Sequence, residues 1–281
     1  MTEVLRYAAF TDDPAGGNPA GIVLDATGLD DAAMLAVAAD VGYSETAFLL
    51  PGAGHRSYAV RYFSPRAEVP FCGHATVATG VVLAEREGAG RFVLDTPVGE
   101  VTVDTTFADT GLVATLESVP ARSRAATEDE VVALLAALGW EAGDLDPAWP
   151  AHVAYAGAEH PVLVVRTRER LAELDYDFTG LQALMDRAGW TTVQLGWPDP
   201  AAPGTWHVRD PFPVGGVVED PATGAAAAAF GAYLRELGRA QPGERLVLLQ
   251  GEDMGRPSRL AVEIGPERVR VGGRAVSLPT A

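Results

Sequence analysis

Two short segments of this chain bring proton-carrying side chains to the end of a loop, just ahead of a run of small residues. They are Phe71–Cys72–Gly73–His74–Ala75–Thr76 and Glu219–Asp220–Pro221–Ala222–Thr223–Gly224–Ala225. Each reads as the start of a helix. The N–H groups there have no intrahelical partner and sit at the positive end of the helix dipole, so they suit a carboxylate or a phosphate. Gly73, Ala75, Gly224, Ala225 and Ala226 are therefore candidate substrate-binding positions, the alternative being two plain helix caps. Two such starts facing each other across an interdomain cleft would draw an anion into an otherwise acidic protein.

Proton transfer needs an acid or base beside that anchor. Glu45, in Gly-Tyr-Ser-Glu-Thr-Ala-Phe, opens an apolar strand, where partial burial would raise a carboxyl pKa toward neutrality and suit it to general acid-base work. A solvated strand-end glutamate is the plainer alternative. His74 acts on substrate or bonds a loop carbonyl; Asp220 orients substrate or caps a turn in Asp-Pro-Ala-Thr-Gly. The Cys72 thiol precedes a helix start, which favours a thiolate, although buried inert cysteine is the commoner case. Asn18, in Gly17–Asn18–Pro19–Ala20–Gly21, reads as a turn residue whose amide can line a pocket.

Composition removes several other chemistries. The chain has no lysine, all its Lys+Arg total of 21 being arginine, so an internal Schiff base and a Walker A lysine are excluded. Its single cysteine allows no intrachain disulfide and no CxxC pair, which points to a reducing cytoplasm. His55, His152, His160 and His207 show no metal-ligand spacing, and no dinucleotide-binding, nucleophile-elbow or EF-hand motif occurs. The expected metal and cofactor content is none. A net charge of −17 repels polyphosphates and anionic headgroups, and no apolar run of about 20 residues occurs, so neither nucleic acid nor membrane is an expected partner. Glu68 is expected in a loop salt bridge.

Positioning these residues takes about two domains, since 281 residues at roughly 150 per domain give two sizeable cores. Alternating or β-rich runs predict strands at 4–10, 46–50, 57–63, 91–94, 100–104 and 112–116, with helices over 29–41 and 74–87. The second half predicts helices over 127–138, 178–188 and 223–237 and strands at 152–155, 162–166, 191–195, 206–209, 246–249 and 260–264. Thr127 and Glu130 form a capping box. The expected domains are 1–118 and 119–281, with a last strand, 275–278, able to cross back to the first. An offset of 151 residues aligns CGHATVATGVVLAE from Cys72 with TGAAAAAFGAYLRE from Thr223, matching Gly73, Gly80, Leu83 and Glu85 to Gly224, Gly231, Leu234 and Glu236. That register suggests a duplicated domain.

At these residues the sequence resembles the PhzF (phenazine biosynthesis-like) family of the diaminopimelate epimerase fold. The matching blocks run in order along the chain: FTDDPAGGNPAGIVL, YSETAFLL, RYFSPRAEVPFCGHATVATG, GVVEDPATGAAAAAFGAYL and LQGEDMGRPSRL. The resemblance implies an α+β fold of two pseudo-symmetric domains, each a curved mixed sheet wrapped around a central helix, in a homodimer. It implies a cofactor-independent isomerase that moves a proton on a small carboxylate-bearing metabolite, as in trans-2,3-dihydro-3-hydroxyanthranilate isomerisation. Glu45 would be the acid-base group, with His74 and Asp220 as active-site partners and Gly73 and Gly224 at the helix starts. Where the phenazine isomerase carries serine after the second glycine, this chain has Ala225. The related epimerases use two cysteines, whereas here Cys72 stands at one position and Thr223 at the other. The alternatives are an amino-acid epimerase using Cys72 and a catalytically silent small-molecule-binding protein.

Overall fold

The computed structural model describes residues 2–109 and 111–279. Its contacts divide the chain into two compact units, the first running to Glu117 and resuming at Gly272, the second spanning Ser118–Val271.

In the first unit β1 (Leu5–Ala9) pairs antiparallel with β2 (Asn18–Val23), and α1 (Asp31–Val41) leads to β3 (Glu45–Pro51), parallel to β2. Asp30 caps α1 by accepting from the Ala33 N–H, and Gly42 ends it in the left-handed conformation, φ 73°. β4 (Ser57–Phe63) runs antiparallel to β3 and carries the two-residue β5 (Glu68–Val69) on its far edge. After α2 (Gly73–Glu87) the chain returns as β6 (Gly90–Thr96), parallel to β4, followed by the antiparallel β7 (Gly99–Ala108) and β8 (Gly111–Glu117).

The second unit opens with β9 (Arg122–Ala125), α3 (Glu128–Leu138), β10 (His152–Tyr155) and β11 (Glu159–Val164), then α4 (Arg168–Ala172) and α5 (Phe178–Ala188). β12 (Gln194–Pro198), β13 (Thr205–Pro211), β14 (Glu219–Asp220), α6 (Gly224–Glu236), β15 (Arg245–Gln250) and β16 (Ser258–Ile264) follow, and β17 (Val269–Gly273) runs across the division into the first unit. β10–β11 is antiparallel, β11–β12 parallel, β12–β13 antiparallel, β13–β15 parallel and β15–β16 antiparallel, with the short β14 on β13. This is the order and polarity of β1 to β7 repeated. The last strand, β18 (Ala275–Ser277), pairs antiparallel with β1 and so lies in the first unit rather than in the 119–281 domain.

Each unit has one helix buried almost all round. Along α2 every residue from His74 to Leu83 is buried, and along α6 every residue from Ala226 to Leu234. Small side chains let strands approach. A methyl group on Gly80 would stand 2.6 Å from Val103 Cγ1, and one on Gly231 2.9 Å from both Ile264 Cδ1 and Val269 Cγ1. These two glycines are the pair aligned by the 151-residue offset. The opposite sheet faces are covered differently: α1 closes over Val23, Phe48 and Phe63, while α3 and α5 close over Leu163, Val165, Val193 and Leu195.

The segment read as a turn at 17–21 is instead the start of β2. Pro19 precedes Ala20, where pairing with β3 begins, so on that side no N–H is asked of it. β5, β9, β14 and β17 have no counterpart among the expected strands, being two to five residues long and too short to show a period. Glu68 accepts both arms of a fork from Arg61 at 2.7 Å, the salt bridge expected of it.

Candidate active site

The parallel pair β2–β3 starts beside the N-terminus of α2, and this junction gathers the first set of expected residues. The register places Ala20 opposite Glu45, so strand alternation turns Asn18 and Glu45 to the α2 face, away from Val23 and Phe48. The first helical bond of α2 runs from Thr76 N to the Cys72 carbonyl, which leaves the N–H groups of Gly73, His74 and Ala75 ahead of the ladder. No side chain caps this helix. Thr76 ties it down, donating through Oγ1 to the Cys72 carbonyl at 2.7 Å and meeting the buried Tyr62 hydroxyl at 2.6 Å.

His74 lies at the centre of the cluster. Its Nδ1 is 3.2 Å from Asn18 Nδ2 and 3.3 Å from Cys72 Sγ; its Nε2 is 3.4 Å from Ser44 Oγ and 3.5 Å from Glu45 Oε2. An amide donating to Nδ1 selects the tautomer with the proton on Nε2, directed at the glutamate and the serine. Burial holds the imidazole below its ordinary pKa, offset by the Glu45 charge and a bond to the Pro19 backbone, so the ring favours its neutral form. The Cys72 thiol donates to Glu45 Oε2 at 3.5 Å. Both the thiol and the imidazole are buried, while the glutamate side chain keeps 15% of its surface exposed. The arrangement is a carboxylate reachable from outside, backed by two buried groups able to hold a proton.

Glu45, Cys72 and His74 also place one ligand atom each within 4.8 Å of one another, a spacing at which three donors can converge on one ion. The histidine nitrogen available to such an ion is Nε2 only if its proton leaves, because Asn18 engages the other.

The second set assembles at the equivalent place in the other unit. Asp220 ends β14, and its Oδ2 accepts from the Thr223 hydroxyl at 2.6 Å. Gln250 at the end of β15 holds this loop, donating to the Asp220 carbonyl at 2.7 Å and to Thr223 Oγ1 at 2.9 Å while accepting from Thr223 N at 3.0 Å. The first bond of α6 is Ala227 N to the Thr223 carbonyl, so the N–H groups of Gly224, Ala225 and Ala226 precede the ladder, as at α2. Beneath Asp220, Arg209 forks onto Glu219 at 3.0 and 2.5 Å and bonds the Leu171 and Ala172 carbonyls, anchoring β14 to β13 and α4.

Sequence reasoning named Asn18, Glu45, Cys72, Gly73, His74 and Ala75, which the fold brings together, and Asp220, Gly224, Ala225 and Ala226, which it also brings together. It passed over Ser44, next to Glu45 in the same block, and Gln250, which opens the conspicuous Gln-Gly…Gly-Arg-Pro-Ser run. Both residues lie in the segments that carry the family resemblance, but nothing in a sequence shows that Gln250 folds back across 27 residues onto Thr223.

A doubled sheet, each copy wrapped on a buried helix, is the architecture of the diaminopimelate epimerase-like α+β folds. The family model for phenazine biosynthesis-like protein, PhzC-PhzF, matches residues 7–281, and the chain belongs to that family. It is 32% identical over 300 residues to an uncharacterized isomerase of Mesorhizobium japonicum, covering 98% of this chain and 96% of that one. It is 29% identical over 274 residues to the trans-2,3-dihydro-3-hydroxyanthranilate isomerase of Pseudomonas chlororaphis, covering 96% and 94%. A crystal structure of a PhzF-family phenazine biosynthesis protein from Bacillus anthracis superposes with TM-score 0.88 at 25% identity, covering 98% of this chain and 96% of that one.

Proposed function

We propose that this protein is an isomerase that moves a proton on a small carboxylate-bearing metabolite, with Glu45 taking and returning the proton. The observation that carries this reading is the convergence of the Glu45 carboxylate on His74 Nε2 and Cys72 Sγ, each at 3.5 Å, beside the first turn of α2. The relatives' names support it, since isomerase is the activity they state across nearly the full chain. His74, neutral and oriented by Asn18, donates toward Glu45 or toward a polar group of the substrate. The N–H groups of residues 73–75, at the positive end of the α2 dipole, are donors for a substrate carboxylate. Asp220 keeps the orienting role that the resemblance implies for it.

The test is turnover of trans-2,3-dihydro-3-hydroxyanthranilate and a panel of small cyclic carboxylic acids in heavy water, with products read by NMR. Glu45→Gln keeps the shape and removes the proton carrier, so the rate should fall about 10²- to 10⁴-fold with the melting temperature nearly unchanged. Full activity in that variant refutes the mechanism. The contact of Cys72 with both partners favours one second reading, in which the thiol is the proton carrier of an amino-acid epimerase.

A further inference from the structure

The duplication puts a second polar cluster at the place in the second unit where the first unit holds Glu45. The register Val162 opposite Gln194 in β11–β12 repeats Ala20 opposite Glu45 in β2–β3. Gln194 therefore stands at the Glu45 position, and His160, two residues before Val162, at that of Asn18. Strand alternation turns His160, Gln194 and Asp210 to the α6 face, which Trp206 of the same strand also meets through Phe230. All three are fully buried.

Their hydrogen bonds run in one direction. His160 Nδ1 meets Thr192 Oγ1 at 2.9 Å, and the Thr192 hydroxyl donates to Asp210 Oδ1 at 2.8 Å. Since Thr192 spends its only proton on Asp210, the imidazole is the donor to it. Burial lowers the His160 pKa to about 4, so the ring meets Thr192 uncharged. Asp210 Oδ2, His160 Nε2 and both amide atoms of Gln194 have no hydrogen-bond partner. Across β13–β14, Asp210 is paired with Asp220, and directly opposed side chains share a face. Arg209, the next residue in the strand, spends its fork on Glu219 and its remaining arm on two carbonyls.

We propose that Asp210 and Asp220 act as one carboxyl pair holding a single proton, carried by Asp210 on Oδ2, so that Asp220 remains the ionised member at the start of α6. The deeper carboxyl is the one that loses its charge. Burial pushes Asp210 well above the usual carboxylate range, and the charges of Asp220 and Glu219 push it the same way; the bond from Thr192 opposes them. Gln250, on the strand parallel to β13, is neutral, as is Gln194 on the other side. Asp210 is thus a positioning residue: a neutral acid behind Asp220 preserves the one negative charge that a second carboxylate would repel. Only this functional consequence rests on the isomerase reading; the protonation state does not.

The test uses the whole chain and no substrate. Infrared difference spectra of the wild type minus Asp210→Asn at neutral pH should show a protonated carboxylic-acid C=O band, which shifts when the protein carries carbon-13-labelled aspartate. The labelled wild type alone answers the question should the variant misfold. No such band in the wild type overturns the proposal. Chemical denaturation supplies the second readout. Because the native state retains a proton that the unfolded carboxyl releases near about pH 4, the wild type's unfolding constant relative to that of Asp210→Asn should rise about tenfold per pH unit until the native group titrates. A ratio independent of pH between about 5 and 8 also overturns it. If the isomerase reading fails while the band is present, the pair stands and only its role is lost.

Discussion

Glu219→Gln should cost this protein more stability than any change at its surface. The carboxylate lies with 4% of its side chain exposed and receives two arms of Arg209, itself 9% exposed, at 3.0 and 2.5 Å. The variant keeps length and shape but leaves a guanidinium buried without a counter-charge, a change that typically costs about 3–5 kcal/mol. The introduced amide still accepts one bond, and Arg209 keeps the Ala172 carbonyl at 2.7 Å, so the lower figure, about 3 kcal/mol, is expected. A loss of that size lowers the melting temperature by about 6–12 °C in a chain of this order of length. Urea denaturation followed by circular dichroism measures it. Replacing both partners, Arg209→Met with Glu219→Leu, should recover most of the loss, because an apolar pair of similar volume has no charge left to strand. A cost under about 1 kcal/mol for the single variant would show the pair to be hydrated and refute the reasoning. Activity should stay low in the double variant even where stability returns, since β14 and Asp220 then lose the fork that fixes them to β13.

Three further outcomes follow. Cys72→Ser should lose less than about tenfold in rate if Glu45 carries the proton, well below the range typical of a lost acid-base group; near-total loss with the fold intact would transfer the role to the thiol. Gly80→Ala should destabilise by about 1–3 kcal/mol in thermal melts, because a methyl 2.6 Å from Val103 overpacks α2 against β7 by more than the helix gains in propensity; an unchanged or raised melting temperature would contradict the close packing. His160 titrates near about 4 in the fold against 6.5 when free, so the unfolded state binds the extra proton and stability falls as pH drops through that window, by roughly 3 kcal/mol in all. His160→Gln should flatten that acid limb, measured as the unfolding free energy at pH 6.5 and pH 4; an unaltered limb would mean that other groups carry it.

How much of this was legible in the residues depended on whether the signal was local. The α3 capping box and both X-Gly helix starts are written within four residues, and the structure reproduces them. The pairing of β1 with β18 links Tyr7 to Ser277 and has no local sign. The Asn18 segment failed for a different reason: Gly, Asn and Pro are turn chemistry in isolation, yet the strands on both sides of Asn18–Val23 impose extension on it. At the site, residue types predicted Glu45, His74 and Asp220, but not that Asn18 would fix the imidazole tautomer, because that depends on a register between strand and helix 56 residues apart.

The duplication explains why the two halves differ where they should match. Equivalent positions carry Glu45 and Gln194, Asn18 and His160, Cys72 and Thr223, His74 and Ala225. In the first unit three of the four are titratable and reach one another. In the second the glutamate position holds an amide and the thiol position a hydroxyl, neither of which gives up a proton near neutral pH. A repeated backbone thus offers the same helix start twice, with different side chains beside it: three titratable groups in contact at α2, an amide and a hydroxyl at the matching places by α6. Asp220 is the exception, a charge added ahead of α6 at a position where the aligned residue before α2 is Val69. A carboxylate placed there beside the buried Asp210 keeps its charge only if that neighbour does not compete for it, and a proton on Asp210 meets that condition.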